Sequence, residues 1–285
     1  MDQKLLFIEG AITQEFSLAL QKSLLESFNS ISASLQTQDF TNAELHLSRL
    51  TTLANSQGDT EGTRDVRFKI GELSSAVLAR NGKFLDAGTK LYHQLKQFTS
   101  SISDNSYLVP VYESLIEYLI LAPSTIQKHK VIHALVTATP EVSHVSPALQ
   151  ALLHKEYLFQ FVEAEDLQIK LPEYFTTPLR AAIMEHNILS MSLLYSNVTF
   201  VRLEERFGGL LILFDTALDE NSFIDVVSRM VLEKRLKARI DQQKGVVHFD
   251  KAASGGVSRW NLDMRDWLLK LDRVCNLVGE STEEV

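Results

Sequence analysis

One cysteine, Cys275, stands in a chain of 285 residues. That scarcity excludes a disulfide within the chain and any multi-cysteine zinc site. Cys275 lies on an apolar helical stripe, where packing accounts for it without nucleophilic chemistry. Long apolar runs are missing too: none approaches the roughly 18 to 20 residues that a membrane span needs. The opening MDQKLLFIEG carries an early acid and too short an apolar stretch for a signal peptide. A soluble, intracellular protein with no membrane partner is expected. Positive charge is also short, with 28 basic against 36 acidic side chains and a formal net charge of −8. Phosphate neutralisation needs clustered Lys and Arg, so that balance argues against a nucleic-acid binder acting through its overall field.

Catalytic signatures are absent as well. His129 and His133 stand four apart, a spacing that places two imidazoles on one helical face, but a zincin needs Glu where Lys130 stands. Gly82-Lys83 falls short of a phosphate loop, because Val77 replaces its first glycine and Phe84 its magnesium-binding hydroxyl. Ser254-Gly255-Gly256 lacks the glycine two residues before the serine of a nucleophile elbow and reads as a linker. The carboxylates Glu204-Glu205 and Glu61/Asp65 have no opposing partner in the pattern and read as solvated faces. No catalytic residue, metal or cofactor is expected, and so no enzyme.

The chain does have helical periodicity. Segments near 12–29, 38–55, 64–81, 83–99, 106–121, 124–138 and 146–160 place apolar residues at three- and four-residue steps, each building one apolar face. Thr41 with Glu44 fits a capping box, and Ser146-Pro147 and Thr177-Pro178 place a cap hydroxyl before a proline suited to a first helical turn. Val66, Ile70, Leu73 and Val77 form one stripe, and Phe84, Ala87, Leu91, Leu95 and Phe98 another, joined by Arg80-Asn81-Gly82. Stacked helical hairpins of this kind make a tetratricopeptide-like solenoid, since each leaves an apolar face only its neighbour covers.

The pattern changes after the proline- and threonine-bearing stretch 171–179, LPEYFTTPL. A helix over 178–196 precedes a helical stretch from Phe200, a second helix over about 220–237, and a β-hairpin in which Val247 and Phe249 alternate after Gln243-Lys244-Gly245. Helix, helix, hairpin is the order of a winged helix. Over 188–250 eight basic side chains face nine acidic ones, a poor field for nucleic acid. Beyond the Gly255-Gly256 break, Trp260, Met264, Trp267, Leu271, Val274 and Val278 follow alternating four- and three-residue steps, a heptad seam suited to a helical bundle. The expected organisation is therefore a mainly α chain: a helical-repeat solenoid over 1–170, a winged-helix part with its connecting helix over 171–253, and a linker with an assembly helix over 254–285.

The run from Ala182 through Glu185-His186-Asn187 to Phe200, followed by Arg239 to Phe249, resembles the junction and wing of subunit 4 of the COP9 signalosome, a PCI-domain family. A weaker likeness covers 66–95. Two departures stand out. Between Phe200 and Met230 the chain is several residues longer than the family pattern, with Phe207-Gly208-Gly209 and Leu210 to Phe214 where a shorter turn is expected, so a distorted winged-helix core is anticipated. The solenoid is also shorter than the family's array. The resemblance implies a non-catalytic scaffold in cytoplasm and nucleus, whose partner removes a ubiquitin-like modifier from cullins. It implies contact with other PCI subunits through the winged helix (Val247, Phe249) and the C-terminal seam, and with a cullin-RING ligase through the solenoid. The PCI subunits of the proteasome lid are the alternative.

Overall fold

The computed structural model describes residues 26–250, apart from the segments 57–60, 99–104, 139–141, 168–172 and 215–219 and the single positions 28, 32, 35, 36, 38 and 143. Helix α1 (Phe40–Asn55) starts at Asp39, whose carboxylate accepts a hydrogen bond from the Asn42 N–H at 3.1 Å. That bond satisfies one of the amide donors a helix start leaves without an intrahelical partner. Asp39 thus replaces the expected Thr41/Glu44 box, because Thr41 already lies inside the helix. Glu44 instead faces Lys83, Oε1 to Nζ 3.4 Å. Ala43, Leu47, Leu50 and Ala54 form the buried stripe of α1, and it packs on Val66, Ile70 and Val77 of α2 (Glu61–Arg80).

The opposite face of α2 meets α3 (Phe84–Phe98). Here close approach depends on a missing side chain: a Cβ on Gly71 would overlap the Gln94 amide, which donates to the Phe68 carbonyl. The turn between the two helices closes with Lys83 N–H donating to Leu78 C=O (2.9 Å) and Gly82 N–H to Ala79 C=O (3.0 Å), a Schellman pair with Gly82 at φ +76°. Tyr174 and Phe175 of the stretch after residue 170 pack on this corner, Arg80 over the Tyr174 ring at 4.8 Å and Phe84 edge-on to Phe175 at 5.6 Å. Helices α4 (Asn105–Leu121), α5 (Ile126–Ala138) and α6 (Pro147–Tyr157) continue the array, with Pro147 at the first helical position as the sequence predicts.

Helix α7 (Thr176–Leu194) leads to a short strand β1 (Asn197–Thr199), then α8 (Phe200–Leu213), α9 (Glu220–Leu232), β2 (Ala238–Asp241) and β3 (Val246–Phe249). The three strands are antiparallel in the order β1-β3-β2, with Val198 opposite Val247 and Ile240 opposite Val247 from the other side. This is a winged helix, and the fold is a helical solenoid followed by it. Strand β1 was not foreseen. Helix α9 ends five residues before the expected 237, at a second Schellman pair around Lys234 (φ +59°). Residues 200–213 form one continuous helix through Gly208-Gly209, and Phe207 and Phe223 are fully buried and meet edge-on at 5.2 Å.

Two compact units result: Met1–Leu153 with Leu171–Ala182, and His154–Lys170 with Ile183–Val285. The segment 154–170, which the sequence pattern assigns to the solenoid, thus clusters with the winged helix. The bonds responsible converge on α7.

Candidate assembly site

Three consecutive residues of α7 each hold a different part of the second unit. Glu185 is buried, and its two oxygens take a bidentate pair from Arg235, Nη1 at 2.6 Å and Nη2 at 3.0 Å. Arg229 Nη2 adds a third bond at 2.9 Å. Burial alone would pull the Arg235 guanidinium down, yet Glu185 and Glu233 outweigh it and raise its pKa further above the usual arginine value. His186 is completely buried. Its Nε2 lies 2.7 Å from the Gln160 carbonyl, which can only accept, so Nε2 carries a proton, while Nδ1 lies 3.3 Å from a Glu156 carboxylate oxygen. Asn187 pairs with Val162 as one peptide pairs with another: Oδ1 accepts from its N–H and Nδ2 donates to its carbonyl, both at 2.8 Å. The chain that follows α6 and the chain that follows α9 are therefore both fastened to one helical turn.

This network also limits what the basic residues of the winged helix can do. Of the eight Lys and Arg over 188–250, six lie within 4.0 Å of a carboxylate: Arg202, Arg206, Arg229, Arg235, Arg239 and Lys244. Arg229 and Arg235, at the end of the helix that would enter a DNA groove, are committed to Glu185. Little positive field is left for phosphate.

Val247 and Phe249, the wing residues expected to meet a partner, lie on the central strand and are buried. Their alternation marks the face that seats on the unit's own core. Among the described residues the open edges of the sheet are β1 and β2, so a strand added from outside would pair there and not with β3. Trp260, Met264, Trp267, Leu271, Val274 and Val278 fall outside the described residues. Beside β1 a cleft of about 290 Å³ opens between Phe161, Met191, Leu194, Tyr195 and Val198, with Arg202 and Arg206 along its wall. Leu194 and Tyr195 are each about half exposed. Among the described residues no cluster of three or more His, Cys, Asp or Glu could hold a metal, and no helix is long and apolar enough to cross a membrane.

Residues 150–251 match the PCI domain. Its span coincides with the second unit closely enough to include the 154–170 segment that Glu156, Gln160 and Val162 tie to α7. Over most of its length the chain is also similar to COP9 signalosome complex subunit 4 from several organisms. It is 23% identical to the Arabidopsis thaliana protein over 262 residues, 86% of this chain and 59% of that one. The Caenorhabditis elegans protein matches at 23% over 250 residues, 86% and 57% of the two chains. The Drosophila melanogaster protein matches at 27% over 227 residues, 76% and 51%. The chain thus spans a little over half the length of the curated relatives it matches. The Glu185-His186-Asn187 triplet of the PCI unit was visible in the sequence only as part of a resemblance. The signal that could have exposed its role is three hydrogen-bonding residues in a row inside an otherwise apolar helix, where burial demands partners.

Proposed function

We propose that this chain is a non-catalytic scaffold subunit of the COP9 signalosome. In this reading it joins other PCI subunits through the PCI unit and the C-terminal segment, while a partner removes a ubiquitin-like modifier from the cullins of cullin-RING ligases. The observation that carries the reading is the joint one: a PCI domain at 150–251 inside a chain similar over more than four fifths of its length to subunit 4 of that complex. The internal neutralisation of the winged helix supports it, since a surface whose arginines are already paired suits protein contacts better than phosphate. The open β2 edge offers backbone donors and acceptors to a neighbouring strand. The Trp260 to Val278 seam supplies an apolar stripe for a helical bundle.

Affinity purification of the tagged chain from its own cells, followed by mass spectrometry, tests the proposal. Recovery of signalosome subunits at matching stoichiometry is expected. Recovery of proteasome-lid subunits, or of no PCI protein, would contradict it. The purified chain alone is expected to release no modifier from a conjugated cullin, with or without added zinc.

A further inference from the structure

The cleft beside β1 has an occupant close at hand. The chain leaves the sheet next to it: Phe249 N–H donates to the Ser196 carbonyl at 2.8 Å and His248 pairs with Asn197, beside the wall formed by Tyr195 and Asn197. From there the chain continues for 35 residues. The first nine, Lys251 to Arg259, include the Gly255-Gly256 pair, and the next positions start the apolar seam. Nine residues reach about 30 Å when extended. The rim carries what a free soluble surface tends to lack, namely two adjacent large apolar side chains, Leu194 and Tyr195, each half exposed.

We infer that, in the free subunit, the segment 257–271 docks in cis on this cleft, with Trp260, Met264 and Trp267 covering Leu194, Tyr195 and the mouth over Met191. A connection of so few residues gives the segment an effective concentration of about 1 mM, at which an intrinsic affinity of about 0.1 mM keeps the cleft roughly 90% occupied. The consequence is a subunit that shields its own assembly seam until a partner helix competes for it. The cis contact itself does not rest on the assembly proposal, only its use does.

Trp260 and Trp267 are the chain's two tryptophans, so tryptophan emission reports on this segment alone. In the full-length chain at low micromolar concentration, the expected emission is blue-shifted and acrylamide quenching at least threefold weaker than in a synthetic 251–285 peptide. Leu194→Asp with Tyr195→Asp should move both toward the peptide values while the far-UV circular dichroism melt stays in place. Leu232→Asp, a change at an 82% exposed leucine outside the cleft, should move neither. Emission and quenching in the wild-type chain equal to the peptide would overturn the inference. So would protection that survives the cleft substitutions, and so would protection lost on dilution, which would mark a second copy as the occupant. Failure of the assembly proposal would leave these measurements unchanged, because they use the isolated chain.

Discussion

At the end of α2 the chain turns through Gly82, whereas at the ends of α6 and α9 the same pair of backbone hydrogen bonds closes around Phe159 (φ +52°) and Lys234 (φ +59°). A left-handed non-glycine residue costs roughly 1–2 kcal/mol. The solenoid unit avoids that cost and the PCI unit accepts it twice. What differs is the anchoring just downstream. After Phe159 come Gln160 and Val162, held by His186 and Asn187. After Lys234 comes Arg235, held by Glu185. In the solenoid the corner is set by local backbone freedom and the helices by apolar stripes. In the PCI unit the corners are over-determined by long-range polar bonds to a single turn of α7, which tolerate strain because they fix where the chain must go next.

The largest test of that contrast is Glu185→Leu. It leaves Arg235, 11% exposed, without its bidentate partner, and breaking a buried pair from one side costs about 3–5 kcal/mol. Urea unfolding followed by hydrogen exchange should show the PCI unit opening early while α1–α3 stay protected. Equal protection in both units would dissolve the distinction. In the solenoid the tightest point is a steric one: Gly71→Ala should cost about 1–3 kcal/mol by displacing Gln94, and Gly71→Ala with Gln94→Ala should cost less than Gly71→Ala alone. A purely additive double variant would show that Gln94 is not what the new methyl meets. The smallest effect is the sharpest in sign. Gly82→Ala should destabilise by about 1 kcal/mol and Lys234→Gly should stabilise by about the same, read as opposite shifts of the thermal midpoint. Shifts of the same sign would mean that the two corners do not differ as described.

Apolar spacing made the helices legible. Val66, Ile70, Leu73 and Val77 repeat at four, three and four, and the helices between 40 and 194 fall within about three residues of their expected bounds. Gly82 announced its corner because glycine is the usual left-handed residue, while Phe159 and Lys234 announced nothing. Strand β1 is three residues long between two helices, too short for alternation to register. The burial of Val247 and Phe249 follows from their position on the central strand, which depends on β1 pairing from the far side and so could not be read from the hairpin alone. Glu185, His186 and Asn187 are residue types that usually face water. Only their partners, 25 to 50 residues away in sequence, reveal them as the fastening of the unit.

Whether the chain is an assembling PCI subunit is decided by the stoichiometry of partners recovered with the tagged chain carrying Trp267→Asp and Leu271→Asp. The expected result is a subunit whose residues up to 250 remain folded by hydrogen exchange but which no longer brings down other PCI subunits. Recovery of all partners at wild-type stoichiometry would contradict the claim that the C-terminal seam builds the complex.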